Sequence, residues 1–319
     1  MAKQKSKKKK KRRAVRVLLI LLCLLLLLAA MVCMYVNNLL DNLSFASRDG
    51  SSILHEIVQP WSTPILSNDV TQIQSGNRAE GHAISSRNVV NILLIGSDYR
   101  IPGTSDPGRA DVTMLCSLNK KTGSIKLVSF ERGIMVDVPG VGTDLLTHSF
   151  HWGGAELTTD IIRSYFLLDI VGYAHVDFES FSQLVDAVGG VDIELTDSEA
   201  WALGLNTGWN HLNGADALRY CRLRSIDSNW QRIARQRNTV QAIMNQVKDM
   251  SLTELNSLAE EVLPLIHTDL SKGEITSLLM SAPKFLGVTA EQMAVPDHND
   301  QNCDFQYESE RLNNFLYGK

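Results

Sequence analysis

Basic and apolar residues are sharply separated at the start of the chain. Ten of the first sixteen residues are Lys or Arg and none is acidic, whereas residues 17–36 form an unbroken apolar run of twenty. A helix of that length spans roughly 30 Å, the thickness of a bilayer core. The run is too long for a signal-peptide apolar region, and no clear small-residue cleavage site follows it. We therefore predict one retained transmembrane helix over residues 17–36.

The basic residues also predict the orientation of this helix. The positive-inside rule makes residues 1–16 a basic cytoplasmic tail and places everything after residue 36 outside the cytoplasmic membrane. A nucleic-acid-binding tail is the alternative, but a basic block beside a membrane span is more typical of a topology and anionic-lipid signal. The predicted location is the cell membrane, with a single pass, the N-terminus in the cytoplasm and an extracytoplasmic domain.

Beyond the span the hydrophobic pattern changes twice. Residues 37–87 are rich in Ser, Asn and Asp and keep neither a helical nor a strand period, which predicts an extracytoplasmic juxtamembrane stalk. At residue 88 a β-branched and Leu-rich run begins, which is typical of a strand buried on both faces. The folded domain is therefore predicted over residues 88–319.

Strands and helices alternate within this domain. The pattern predicts helices over residues 156–168 and 178–188, and strands over residues 89–95, 112–118, 126–130, 173–177, 191–195 and 293–296. Such alternation indicates an α/β sandwich with a central mixed sheet.

The charge of the domain excludes one class of partner. Without the ten basic residues of the tail, twenty-one basic residues remain against thirty-five acidic ones, a formal charge of −14. Such a surface repels nucleic acid, so no nucleic-acid partner is expected. The cysteines have no zinc spacing, and whether Cys116 and Cys221 form a disulfide stays open.

Charged side chains follow or precede the predicted strands at several points. Asp98 and Arg100 come after the first strand, Asp111 begins the next, and Arg132 follows the third. Ligands bind at such strand ends in open α/β sheets. The two aspartates offer hard oxygen ligands that suit Mg²⁺, which keeps water and phosphate in its other positions. Plain ion pairs with neighbouring arginines are the alternative.

Arginines are concentrated between residues 219 and 237. If residues 220–224 form a strand, Arg222 and Arg224 share one face about 6.7 Å apart. The next segment is predicted as a helix, in which Arg232 and Gln236 share a face near the N-terminus, where the dipole favours anions. A solvated basic surface is the alternative. Two phosphates with Mg²⁺ would satisfy the arginines and the aspartates together.

The order of several motifs resembles one known family. The motifs are N-I-L-L-I-G-S-D-Y-R, R-A-D-V-T-M-L, V-S-F-E-R, D-V-P-G, W-G-G, Y-A-H-V-D-F-E-S-F-S-Q-L-V-D-A-V-G-G-V, L-N-G-A-D-A-L-R-Y-C-R-L-R and R-x-x-R-Q. On these motifs the chain is similar to the LytR-CpsA-Psr family over residues 88–250. The basic tail and single span fit the same family.

The resemblance implies a fold, an activity and a set of site residues. The fold would be a three-layer α/β/α sandwich. The activity would be Mg²⁺-dependent transfer of a phosphorylated glycan, such as teichoic acid or capsular polysaccharide, from undecaprenyl pyrophosphate to peptidoglycan. The implied metal ligands are Asp98 and Asp111, the implied catalytic residues are these two with Arg132, and the implied pyrophosphate-binding residues are Arg100, Arg132, Arg222, Arg224, Arg232 and Gln236.

The sequence also departs from the family pattern. Glu131 and Gly133 flank Arg132 where the pattern reads Pro-Arg-Asp, Leu145 stands at the place of a frequent Lys, and Asn229 replaces a frequent Asp. These departures leave the binding residues but remove acidic helpers. They keep two alternatives open, a non-catalytic polyprenyl-phosphate-binding envelope regulator and a lipid pyrophosphatase that uses water as the acceptor.

Overall fold

The computed structural model describes residues 44–45, 78–98, 108–224, 226–297 and 303–318. The predicted membrane span, most of the predicted stalk and Arg100 lie outside these residues. Within the described part of the chain, no helix has both the length and the apolar character needed to cross a membrane.

Eleven strands, eight α-helices and two short 3-10 helices are described. The strands are β1 Ser44–Phe45, β2 Val89–Ser97, β3 Ala110–Asn119, β4 Ile125–Phe130, β5 Met135–Val138, β6 Gly142–Leu145, β7 Gly172–Asp177, β8 Val191–Leu195, β9 Gly208–Leu212, β10 His267–Thr268 and β11 Glu291–Val295. The α-helices are α1 Leu146–Phe166, α2 Phe178–Ala187, α3 Asp197–Leu203, α4 Gly214–Arg222, α5 Asn229–Val247, α6 Leu252–Val262, α7 Lys272–Ser281 and α8 Phe305–Tyr317.

Seven strands form one mixed sheet in the order β1-β10-β7-β2-β3-β4-β11. Strands β2, β3 and β4 are antiparallel neighbours, whereas β7 pairs with β2 and β11 pairs with β4 in parallel. The predicted mixed sheet is thus confirmed. Because β3 runs opposite to β2 and β4, its first residue lies at the same edge of the sheet as the last residues of β2 and β4.

Apolar side chains cover both faces of this sheet. On one face Leu93, Leu115 and Val128 belong to a core that includes side chains of α1 and α8. On the opposite face Met114 and Leu127 belong to a separate core that includes side chains of α5. Neighbouring residues of a strand point to opposite faces, so the continuous apolar runs of β2 and β3 supply both cores at once.

A two-stranded ribbon, β8–β9, lies outside the main sheet. The strand predicted over residues 191–195 is confirmed, but it pairs with β9 and not with the central strands. Its inward residues Val191, Ile193 and Leu195 join side chains of α2, α4 and α5 in a further core. Because α4 and α5 both contribute side chains to this core, it packs the two helices against the ribbon.

The predicted strand over residues 220–224 is wrong. Residues up to Arg222 belong to α4, whose N-cap Asn213 accepts a hydrogen bond from the Asp216 amide. Ala217, Tyr220 and Cys221 are buried, and their spacing of three and four residues makes one apolar helical face. The helix is favoured because this face packs on the core and the cap satisfies an end amide. Arg222 and Arg224 therefore do not share a strand face.

Helix α1 also begins ten residues before the predicted start at residue 156. Gly153 and Gly154 interrupt it with non-helical dihedral angles, and Gly154 has a φ of 62°. A positive φ is readily adopted only by glycine. The kink divides α1 into a first segment before Gly153 and a second segment after Gly154.

The three cysteines outside the predicted span are free, so Cys116 and Cys221 form no disulfide. Burial raises the pKa of the Cys116 thiol to about 12 and that of Cys221 to about 11. Thiols of such high pKa are unreactive at neutral pH.

Candidate active site

An open pocket of about 350 Å³ lies at the edge of the sheet where β2 and β4 end and β3 begins. All of its lining residues are charged: Asp98, Arg109, Asp111, Arg132, Arg222 and Arg224. The pocket therefore brings together five of the predicted site residues. Arg109, which was not among them, lines it as well.

Asp98 is held by the strand that faces it. Its Oδ1 accepts a 2.5 Å hydrogen bond from the Arg109 amide, and its own amide donates to the Arg109 carbonyl at 3.1 Å. The pairing of β2 with β3 shifts register just before this point. These bonds leave lone pairs on the carboxylate, which can accept about four interactions in all.

Asp111 holds two of the arginines. Its Oδ1 accepts a 2.6 Å hydrogen bond from Nη1 of Arg132, and its two oxygens lie 3.2 and 3.3 Å from Nη2 of Arg224. The Asp111 side chain is 14% exposed, and that of Arg224 is 54% exposed. A single carboxylate thus orients two guanidinium groups whose charges it cannot balance alone.

Arg222 is held by an aromatic ring. Its guanidinium carbon lies 4.4 Å from the centroid of the Phe178 ring at the start of α2. Within the described residues it forms no ion pair, in contrast to Arg219 one turn earlier, which binds Asp216 at 2.9 Å. The Arg222 charge therefore remains available to an anion.

Arg232 is buried beside the pocket. Its Nε is shielded from solvent and has no hydrogen-bond partner among the described residues. Burial, followed by the charges of Arg224 and Arg132, lowers the pKa of Arg232, and Asp111 and Glu131 oppose this effect. These interactions place Arg232 next to the charged pocket. Gln236, one turn later on α5, is also buried, but neither residue belongs to the pocket wall.

Arg235 is a residue whose role the sequence did not predict. Its side chain is 2% exposed, donates to both oxygens of Asp227 at 2.6 and 2.7 Å, and contacts Glu199 at 3.2 Å. It also donates to the Leu223 carbonyl at 3.0 Å. Burial alone would lower the pKa of Arg235, but the bonds to its two acids raise it overall. Arg235 fixes the backbone between Arg222 and Arg224.

The only sequence signal for Arg235 was its place in the R-x-x-R-Q motif. Arginines 219–235 thus have two kinds of surroundings. Arg219 and Arg235 pair with acids outside the pocket wall, whereas Arg222, Arg224 and Arg232 face the pocket or lie beside it, with Arg224 in contact with Asp111.

The H-x-x-H motif of residues 148–151 lies in the first turns of α1. His148 Nδ1 lies 2.7 Å from Asp144 Oδ1. Trp152 Nε1 donates to the second Asp144 oxygen at 3.0 Å. Burial alone would raise the pKa of Asp144, but its hydrogen bonds with Trp152 and His148 lower that pKa overall.

The carboxylates of the pocket suit a hard cation that is also coordinated by phosphate oxygens. Among the described residues, no three His, Cys, Asp or Glu side chains converge as a metal site. The two aspartates alone resemble the sites of Mg²⁺, which uses one or two carboxylates and completes its shell with water and phosphate oxygens.

A mixed α/β sheet with a pocket of four arginines and two carboxylates at one edge is an arrangement that suits a multiply charged anion. The chain matches the LytR_cpsA_psr family over residues 64–318. Because this match covers most of its length, the chain belongs to the LytR-CpsA-Psr family.

Two relatives carry the name polyisoprenyl-teichoic acid–peptidoglycan teichoic acid transferase TagU. The protein from Oceanobacillus iheyensis is 33% identical over 205 residues, which cover 60% of this chain and 62% of that protein. The protein from Bacillus mycoides is 32% identical over 235 residues, which cover 72% of this chain and 70% of that protein. The chain thus spans less than two thirds of the first relative.

Solved structures share the fold. A structure described as TagT bound to LIIa-WTA has a TM-score of 0.59 at 22% identity, covering 72% of this chain and 91% of that one. A structure described as YwtF (TagT) with bound octaprenyl pyrophosphate lipid has a TM-score of 0.55 at 20% identity, covering 76% and 97%. At these identities the likeness supports the α/β architecture.

Proposed function

We propose that this chain is a membrane-anchored enzyme that transfers a phosphorylated glycan from undecaprenyl pyrophosphate to peptidoglycan with the help of Mg²⁺. The glycan would be of the teichoic acid or capsular polysaccharide type. The observation that carries the proposal is the pocket, in which four guanidinium groups and two carboxylates meet at one sheet edge. The names of the TagU relatives support the same activity.

The arginines suit a diphosphate better than a single carboxylate ligand. Arg132 and Arg224 are already aligned by Asp111, while Arg222 has no ion pair among the described residues. Guanidinium groups bind phosphate oxygens through pairs of parallel hydrogen bonds. Several such groups can bind both phosphates, and Arg232 would add its positive charge from its buried position beside the pocket.

Asp98 and Asp111 would hold the cation. Both line the pocket and both keep oxygen lone pairs beyond their present hydrogen bonds. When bound, Mg²⁺ would neutralise part of the diphosphate charge and polarise its oxygens.

The reaction would be a phosphoryl transfer. An acceptor hydroxyl of peptidoglycan attacks the glycan-side phosphorus, a new P–O bond forms, and the bond from that phosphorus to the bridging oxygen breaks. One of the two carboxylates takes the hydroxyl proton, and undecaprenyl phosphate leaves. Catalysis of this kind depends on positioning and charge stabilisation, which Arg132 and its neighbours would provide.

The location of the enzyme follows from its substrate. Both the lipid-linked donor and the lipid phosphate product stay in the membrane, so a tethered enzyme meets them at high local concentration. The apolar segment 17–36 would provide this tether, with the pocket on the extracytoplasmic side.

The full-length chain in detergent provides the test. Incubated with a lipid-pyrophosphate-linked glycan, Mg²⁺ and peptidoglycan oligomers, it should yield glycan joined covalently to peptidoglycan. Free glycan phosphate without a conjugate would show that water is the acceptor. Intact lipid that stays bound would show binding alone. Either of these two results would overturn the proposed transfer.

A further inference from the structure

The loop after β4 contains a buried acid next to Arg132. Glu131 is 8% exposed, and its backbone is anchored on both sides: its amide donates to Val295 at 2.8 Å and its carbonyl accepts from Ile134 at 3.4 Å. Its carboxylate turns back along the chain, where Oε2 accepts a hydrogen bond from the Gly133 amide. A charged group buried to this degree requires polar partners.

Residue 133 has room for this carboxylate because it is a glycine. A Cβ at position 133 would lie 2.7 Å from Glu131 Oε2, closer than real carbon contacts. The Glu131 carboxylate therefore occupies the space into which a side chain at residue 133 would project.

The same carboxylate reaches the N-terminus of α5. Its second oxygen, Oε1, accepts a hydrogen bond from Asn229 Nδ2 at 3.3 Å. Asn229 is the first residue of α5, and Arg232 lies three residues later on the same face. Glu131 also favours the charged form of Arg232 against the opposing effect of burial and of two neighbouring arginines.

Glu131 thus bonds two elements that each carry an arginine of the site. Gly133, beside Arg132, and Asn229, one turn before Arg232, are also two of the positions where the sequence departs from the family pattern. Both contact the Glu131 carboxylate, so the unusual residues form one interacting group.

We infer that Glu131 is a positioning residue, whose carboxylate joins the Arg132 loop to the N-terminus of α5 and orients Arg132 and Arg232 towards the diphosphate. The inference rests on the function proposed above. A guanidinium group stabilises a transition state only when its hydrogen-bond directions match the developing charge. Glu131 supplies this alignment from a carboxylate at an unusual position.

Glu131→Gln tests the charge, because the amide can still accept from the Gly133 amide and still reach Asn229. Turnover is measured in the full-length chain as released undecaprenyl phosphate, which registers transfer and hydrolysis alike. We expect kcat to fall about ten-fold. The affinity for inorganic pyrophosphate, measured by calorimetry, should stay equal or rise, because one negative charge is removed. Glu310→Gln, an exposed change of the same chemistry on α8, should alter neither quantity.

Relocating the carboxylate provides the rescue. Asn229→Asp alone would place two carboxylates about 3.3 Å apart, and their repulsion should slow turnover. In the double variant Glu131→Gln with Asn229→Asp, the acid stands at the other end of the same contact. Turnover should then rise at least three-fold above that of the Glu131→Gln variant.

The outcomes separate the inference from the proposed function. If the parent chain releases lipid phosphate only by hydrolysis, the result contradicts the proposed transfer. The comparison of parent and variants still decides the role of Glu131, because hydrolysis gives the same readout. If the parent chain releases no lipid phosphate with either peptidoglycan or water as the acceptor, the result overturns both the proposed function and the inference about Glu131. If Glu131→Gln matches the parent, or if kcat and pyrophosphate affinity fall together without rescue by Asn229→Asp, Glu131 has no positioning role.

Discussion

Replacing Arg222 by Ala removes a pocket arginine that pairs with no carboxylate of the described residues. Its guanidinium lies over the Phe178 ring and forms no ion pair with any described residue. An exposed cation–π contact is worth about 0.5–1 kcal/mol, which is enough to orient the group without neutralising it. The variant should therefore keep its fold and lose a contact to the ligand.

The size of the loss follows from the kind of bond that Arg222 would make. A hydrogen bond to a charged group contributes about 1.5–3 kcal/mol. Removing it should weaken pyrophosphate binding roughly ten- to a hundred-fold. Arg222→Lys keeps the charge but loses the planar pair of donors, so its affinity should lie between those of Ala and the parent.

Calorimetric titration of the full-length chain with inorganic pyrophosphate measures this loss directly. Arg219→Ala is the matched control, because Arg219 lies on the same helix and is bound to Asp216 and the Leu203 carbonyl. Its removal should leave pyrophosphate affinity unchanged. Equal affinities for the parent and Arg222→Ala would remove Arg222 from the site and refute the interpretation of the pocket.

Three further changes test other parts of the structure. Asp98→Asn keeps an acceptor for the backbone amide at residue 109 but removes the charge, so activity should require more Mg²⁺; superimposable metal titrations would exclude Asp98 as a ligand. Arg235→Gln leaves the buried Glu199 without its charged partner and should cost roughly 3–5 kcal/mol of unfolding free energy in urea denaturation, whereas a loss below about 1 kcal/mol would contradict the structural role. Burial and the neighbouring His267 lower the pKa of His175 to about 4, whereas its unfolded pKa is near 6.5. The unfolded chain thus takes up a proton that the folded chain does not, so unfolding free energy should fall by up to roughly 3 kcal/mol between pH 6.5 and pH 4. His175→Gln should lose this part of the pH dependence; a parallel decline in both proteins would exclude it.

Periodicity predicted the elements that local sequence favours strongly. The runs that became β2, β3 and β4 are confirmed, as is α2, whose N-cap Asp177 accepts from the Ser180 amide at 2.8 Å. Each of these elements has its own apolar pattern or cap, so neighbouring residues decide it. Residues 220–224 were wrongly predicted as a strand because their arginines alternate with apolar residues. The apolar face of helix α4 begins several residues earlier, outside that short window.

In the site, too, some features follow from the sequence and others only from tertiary packing. Motif order singled out Asp98, Asp111, Arg132, Arg222 and Arg224, and these five residues line one pocket. They stand at the ends of strongly predicted elements or in one short segment. Their pairing could not be foreseen. Asp111 and Arg224 are 113 residues apart in the chain, and only packing of the helical core against the sheet decides that they meet.

The sequence by itself therefore determined which chemical groups the protein has and which segments become strands or helices, since these depend on residue types and on spacing over a few positions. The tertiary structure alone decided which arginines are neutralised and which remain open to an anion. It placed Arg235 between two acids and set the Glu131 carboxylate against Gly133 and Asn229. The charge that a side chain presents to a ligand depends on its distance from other charges and from water, and folding alone sets those distances.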